Sequence, residues 1–305
     1  MAVRSHRNAV FVLAATLVII TVVVAMTAAN GGGPARALSH VTPTGAPTAT
    51  APTAAAPTGL GTAPAGLATA PTPLATATAV PAPRSAQLPL RGKIVGIDPG
   101  HNGRNITDLG YLARPVWNGR EWENCDTTGA ETNGGYTEAL FNFRVAEYLR
   151  AGLIRDGARV VMTRTTNSGI GPCVDRRSDV INGGHVNVAL DIHADSAAPW
   201  GRGFAILEPV ADGPNNKVIS ASARLGADIR AAMLAGTRMP TSNYDGYNGI
   251  RYRDDLAGLN LTKVPKILIE VGNMLNATDA AMLTSATFQQ QVARALLVAI
   301  IKFLG

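Results

Sequence analysis

Between residues 93 and 304, short apolar runs of strand length alternate with segments whose apolar residues recur at helical spacing. Residues 93–98 (KIVGID), 158–163 (ARVVMT), 186–192, 203–209 and 266–271 read as strands, several of them apolar almost throughout. Residues 138–153 carry apolar residues at Leu140, Phe141, Phe143, Val145, Ala146, Tyr148, Leu149 and Leu153, the spacing of a helix with one apolar face. A short helix is expected over 174–182, stopped by Gly183-Gly184, an Ala-rich one over 217–236, and one or two helices over 278–304. Strands that are apolar on both sides must be covered on both faces. The alternation therefore predicts an α/β fold: a single domain with a mostly parallel twisted sheet covered by helices on both faces.

Composition divides the rest of the chain. Residues 9–29 carry no charge, follow Arg4 and Arg7, and match a membrane span in length better than a signal-peptide core. We read residues 1–29 as an N-terminal membrane anchor, the alternative being a cleaved signal peptide at Thr27-Ala28-Ala29. Basic residues on its short N-terminal side put that end in the cytoplasm and the remainder outside. Residues 30–90 repeat Ala-Pro-Thr and Thr-Ala-Pro strings and hold few bulky apolar residues, the composition of a disordered linker. As extended chain at about 3.1 Å per residue it would reach ~180 Å. Residues 91–305 form the globular domain.

The net charge of +6 is mostly a property of the N-terminal zones. Setting aside the four arginines before Arg91 (Arg4, Arg7, Arg36 and Arg84) leaves 23 basic against 21 acidic residues. With no basic block interleaved with aromatics, nucleic acid is not an expected partner. The two cysteines, Cys125 and Cys173, form an even pair in a domain expected outside the cytoplasm, which points to a disulfide.

Four strings carry chemistry, in this order: Asp98-Pro99-Gly100-His101, Glu138 at a helix start, Asp191-Ile192-His193-Ala194-Asp195, and Ile269-Glu270-Val271-Gly272-Asn273. His101 follows the first strand, His193 ends the 186–192 strand, and Glu270 lies near the end of its own, so all three should reach the carboxyl rim of the sheet, where ligands gather. Singly they have plain readings. His101 could be a turn residue, His193 a hydrogen-bonded core histidine, and Glu138 a first-turn acid favoured by the helix dipole. Glu270 is harder to dismiss, because a carboxylate between Ile269 and Val271 should not be buried unpaired. Together they are the inventory of a hydrolytic zinc site.

The set resembles the zinc-dependent N-acetylmuramoyl-L-alanine amidases, of the type that includes the cell-separation amidases, over about residues 92–304. Ile97-Asp98-Pro99-Gly100-His101-Asn102-Gly103 is similar to the family's first motif. Glu138 with Asn142 matches the second, 191–195 the third and 269–273 the fourth, with Asn276 beyond. Val174-Asp175-Arg176-Arg177 is similar to an Arg-containing family segment. The resemblance implies one zinc ion on His101, Glu138 and His193, with Glu270 as catalytic acid/base. It also implies a peptidoglycan or muropeptide substrate cleaved between N-acetylmuramic acid and L-alanine, and an extracytoplasmic location on the wall side of the plasma membrane. The catalytic domain is expected to be monomeric. Asp191, Asp195 and Asn273 stand where the family has Ser, Asn and Phe. Asp191, Asp195 and Asp98 are candidates to orient a ligand imidazole. The long connection 102–136 is expected to frame the cleft. Some relatives insert an inhibitory helix after the third motif; here only 196–202 precede the next expected strand. Two other readings compete: a zinc peptidase or deacetylase acting on cell-wall material with the same ligands, and a catalytically inactive wall-binding module.

Overall fold

A computed structural model describes residues 88–305. The expected apolar segment 9–29, and the expected linker apart from its last three residues, lie outside the described residues. Leu90 is fully buried in the core, and its amide donates to the Asp156 carbonyl at 2.9 Å. No helix of the described residues is long and apolar enough to cross a membrane.

In chain order the elements are β1 (Ile94–Pro99), a 3-10 turn (Asn105–Thr107), α1 (Leu109–Leu112), β2 (Pro115–Trp117), β3 (Trp122–Asn124), α2 (Glu138–Arg155), β4 (Arg159–Met162), α3 (Val174–Gly183) and β5 (Val188–Asp195). They continue with β6 (Ala205–Pro209), α4 (Ile219–Gly236), β7 (Ile250–Arg253), α5 (Ala257–Asn260), β8 (Lys266–Asn273), α6 (Ala277–Leu283) and α7 (Ala286–Leu304). The main sheet runs β4-β1-β5-β8-β6-β7. Every neighbouring pair is parallel except β6 with β8. The small hairpin β2-β3 stands apart from it.

The two faces of the sheet differ. Val95, Ile97, Val188, Leu190, Ile192, Ile267, Ile269 and Val271 join the main core with α2, α4 and α7. The alternate residues face α3 and α5 and make only small clusters, Ile181 with Val186 and Ala189, and Leu259 with Ala205, Leu207 and Leu268. Strand side chains alternate between faces, so Asp98, Asp191, His193, Lys266 and Glu270 fall on this thinner side. What reads along the chain as nearly continuous apolar strand is one apolar face and one face seeded with charge. Gly96 suits the thinner face, since a Cβ there would lie 2.7 Å from Ile181.

The connection 102–136 is built rather than loose. It carries the 3-10 turn, α1 and the β2-β3 hairpin, and Cys125 is disulfide-bonded to Cys173 at the N-cap of α3.

Candidate metal centre and cleft

β1 ends in Pro99-Gly100, and His101 turns out of the strand with φ +55°, a left-handed conformation that needs support. Two buried guanidiniums supply it. Arg177 on α3 donates to the carbonyls of Pro99 (2.8 Å) and His101 (2.7 Å), to Asn102 Oδ1 (3.1 Å) and to Asp98 Oδ1 (2.9 Å). Arg164 donates to the carbonyls of Pro99 (2.9 Å), Gly100 (3.2 Å) and Ala139 (2.8 Å). Gly100 is required sterically, because a Cβ there would sit 2.1 Å from the His193 ring.

Asp126 orients the His101 ring. Its Oδ1 lies 2.8 Å from His101 Nδ1, and its Oδ2 accepts from Asn102 and Asn105 at 3.1 and 3.0 Å. With Nδ1 committed to that carboxylate, Nε2 faces Glu138 Oε2 at 3.3 Å. Glu138 opens α2 but does not serve its own helix end. Its oxygens accept from the amides of Ala130 (2.8 Å) and Ala194 (3.2 Å) and from Asn142 Nδ2 (3.4 Å), while His193 Nδ1 lies 2.8 Å away. Asn142 also donates to the Gly100 carbonyl at 3.1 Å, tying the second motif to the first. His193 turns its other nitrogen to Asp191 Oδ1 at 3.3 Å. The two imidazoles meet edge to face with centroids 4.9 Å apart.

One ligand atom each from His101, Glu138 and His193 comes within 4.8 Å of the others. The electrostatics of the cluster ask for a cation. Burial works against a charged Glu138, but His101 and then His193 hold its carboxyl well below the usual range. Burial likewise opposes protonation of the imidazoles, yet Glu138 and Asp126 raise His101 to about 9, and Asp191 and Glu138 raise His193 well above its ordinary value. Without a cation the site draws protons onto both rings. A divalent ion would supply the same positive charge, and this N,N,O donor set suits zinc.

Glu270 follows on β8, paired in register with His193 on β5. Its Oε2 is buried and has no hydrogen-bond partner among the described residues. Burial first, then the neighbouring Glu138 and Asp195, push its carboxyl up to about 8, against the opposing pull of His193 and His101. His101, His193 and Glu270 border one cavity of about 420 Å³, whose other wall includes Glu123, Arg253 and Leu256. Asn124, Asp126 and Thr127 also line it, so the 102–136 connection does form one side of the cleft.

Beneath the cavity lies a buried charge cluster. Lys266, 1% exposed, places Nζ 2.8 Å from Asp98 Oδ2 and 3.3 Å from Asp191 Oδ2. Asp98 also accepts from Arg177 and from Thr163 Oγ1 at 2.6 Å. Of the three aspartates offered by the sequence as imidazole partners, only Asp191 faces one. Asp98 is spent on Lys266, Arg177 and Thr163. Asp195 accepts from the Ser196 amide at 2.6 Å and pairs with neither ring; a register shift in β5 falls between His193 and Asp195. The partner of His101, Asp126, gave no signal in the sequence; it is one acid in a Gly- and Asn-rich stretch, marked only by its neighbour Cys125.

An α/β domain with an imidazole–carboxylate–imidazole cluster at the carboxyl rim of its sheet, and a second carboxyl, Glu270, bordering the same cavity as the imidazoles, has the framework of a hydrolase. The chain belongs to the N-acetylmuramoyl-L-alanine amidase family, whose model matches residues 95–302. It is 38% identical over 217 residues to the Mycobacterium tuberculosis N-acetylmuramoyl-L-alanine amidase Rv3717, covering 71% of this chain and 88% of that protein. Among solved structures it is similar to the amidase Ami1 of Mycobacterium smegmatis, at 37% identity and a TM-score of 0.67, covering 71% of this chain and 98% of that one. Ami1 of Mycobacterium abscessus follows at 35% identity and a TM-score of 0.66, covering 70% and 100%. AmiC2 of Nostoc punctiforme, at 22% identity and a TM-score of 0.52 over 70% of this chain and 98% of that one, shares the fold. The chain is thus an amidase of the peptidoglycan-hydrolysing class.

Proposed function

We propose that the amidase reaction takes place at this cluster, with one zinc ion held by His101, Glu138 and His193 and with Glu270 as acid/base. The observation that carries the assignment is Glu270: a buried carboxyl oxygen without a partner, on the same cavity as the two imidazoles of a three-donor cluster. Zinc, when bound, supplies Lewis acidity toward water and toward a carbonyl oxygen.

The chain's own residues do the rest. The cavity holds the lactyl–alanine amide of a muropeptide. Glu270 accepts a proton from the attacking water and delivers it to the nitrogen of L-alanine as the C–N bond breaks. The products are the free lactyl carboxylate on N-acetylmuramic acid and a stem peptide with a new amino terminus. A carboxyl raised to about 8 can take up and release a proton near neutral pH. Asp126 keeps Nε2 of His101 turned inward, and Asp191 faces the far nitrogen of His193.

The reading places the domain outside the cytoplasm, on the wall side of the plasma membrane, as a monomer carried by the 9–29 segment and the 30–90 linker, or secreted if that segment is cleaved. The disulfide supports an oxidising compartment. The test is digestion of an N-acetylmuramyl peptide by the full chain, with and without chelator, followed by end-group analysis. A new L-alanine amino terminus that disappears with chelator is expected. A new terminus further along the peptide would make the enzyme a peptidase, and released acetate a deacetylase. Wall binding without any hydrolysis would make it a binding module.

A further inference from the structure

A second cavity, of about 490 Å³, lies on the opposite face of the same strands. Glu208 on β6 is at its floor. That residue is only 5% exposed, yet among the described residues its side chain has no hydrogen bond and no ion pair. Burial alone pushes its carboxyl up to about 7. The neighbouring helix makes room for it: a Cβ at Gly226, in the middle of the Ala-rich α4, would lie 2.3 Å from Glu208 Oε1. A mid-helix glycine costs roughly 1 kcal/mol against alanine, and here its effect is to leave a carboxylate open to a cleft rather than capped by a side chain.

The walls are constructed as well. Glu208 is in register with Tyr252 on the edge strand β7, so both side chains lie on one face, with Ile250 two residues away. Tyr252 is 68% and Tyr247 88% exposed, although each borders the cavity. The turn that presents Tyr247 contains Asn248 at φ +54°, and Arg230 on α4 holds it by donating Nε to the Asn248 carbonyl at 2.7 Å and Nη2 to its side-chain oxygen. The cavity thus offers a buried acceptor, a guanidinium at the rim and two aromatic rings. An amine would meet Arg230, and an anion would meet Glu208. A neutral polyhydroxyl ligand satisfies both while lying against the rings.

We propose that this cavity is a second, non-catalytic saccharide site that takes sugar residues of a peptidoglycan glycan strand. β7 alternates between the two cavities: Arg253 lines the catalytic one, Ile250 and Tyr252 the other. A glycan strand passing this edge is held on one face of the sheet while a stem amide is presented on the other. The choice of sugar rests on the amidase reading; the cavity does not.

The test measures binding of full-length protein to an N-acetylglucosamine tetrasaccharide and to peptide-free glycan strands, neither of which contains the scissile amide, so the result is independent of catalysis. Tyr252→Ala, Tyr247→Ala and Glu208→Gln are each expected to weaken binding about tenfold. Hydrolysis of a small soluble muropeptide should be unchanged, and hydrolysis of polymeric wall lowered several-fold. The two tyrosines are exposed, so their variants keep the test sound should Glu208→Gln fold poorly. Absence of saccharide binding in the wild type, or binding indifferent to all three substitutions, would overturn the proposal and leave the amidase reading intact.

Discussion

Replacement of Lys266 by Met tests the physical account of the ground beneath the site. Lys266 is 1% exposed and contacts two buried carboxylates, at 2.8 and 3.3 Å. At an effective dielectric of about 20 those contacts carry roughly 6 and 5 kcal/mol of raw attraction. Most of this offsets the cost of taking the ammonium out of water, and Asp98 keeps Arg177 and Thr163 in the variant. What remains is the penalty of breaking the buried ion pair at Asp191 Oδ2, with only His193 still facing Oδ1, about 3–5 kcal/mol. At roughly 2–3 kcal/mol per molar urea, the unfolding midpoint should fall by about 1–2.5 M. The pH dependence gives a second readout. Burial opposes ionisation of Asp98, but Lys266 and Arg177 prevail and hold its folded-state pKa far below the ordinary carboxylate range. Its stabilisation is therefore complete above the unfolded value of about 4 and is lost as pH falls from there toward the folded value. The variant has less of this term to lose, so the gap between the two proteins should be widest near neutrality and narrow on acidification. An unchanged midpoint at neutral pH, or a gap that widens in acid, would refute the reasoning.

Three further outcomes follow from the same geometry. Asp126→Asn keeps the shape but removes the charge that fixes His101, and should weaken zinc retention about 10- to 100-fold in competition with a chromophoric chelator; unaltered retention would contradict the role given to Asp126. Changing Cys125 and Cys173 together to Ser opens a loop with a sequence separation of 48 and should cost roughly 4 kcal/mol of stability in a denaturant melt. Gly100→Ala places a methyl group on the His193 ring and should lower muropeptide hydrolysis by about 100-fold while circular dichroism shows a folded protein.

The five longest strand-like runs, 93–98, 158–163, 186–192, 203–209 and 266–271, all became strands of the main sheet, because apolar residues bounded by turn signals leave few alternatives. β7 escaped notice: Ile-Arg-Tyr-Arg is an edge strand with its middle residues exposed, so it lacks an apolar run. The β2-β3 hairpin was hidden for a similar reason, as its three-residue strands bury little. The antiparallel placement of β6 could not be read, since the apolar pattern of a strand does not record its direction. In the site, Glu270 stood out because it interrupts an apolar run, whereas His101, Glu138 and His193 have plain readings singly and were marked by their order along the chain and by the resemblance to the amidase motifs. Lys266 did not, because a lysine opening a strand looks like an exposed boundary residue. Asp126 was invisible because its role depends on a loop folding back through the disulfide to a histidine 25 residues earlier.

The most direct test of the central claim is the metal content of purified full-length protein and four variants. One zinc ion per chain is expected in the wild type and in Glu270→Gln, the latter without amidase activity, and almost none in His101→Ala, Glu138→Ala or His193→Ala. A Glu138→Ala protein that retains zinc at the wild-type level, or a Glu270→Gln protein that retains full activity, would contradict the account.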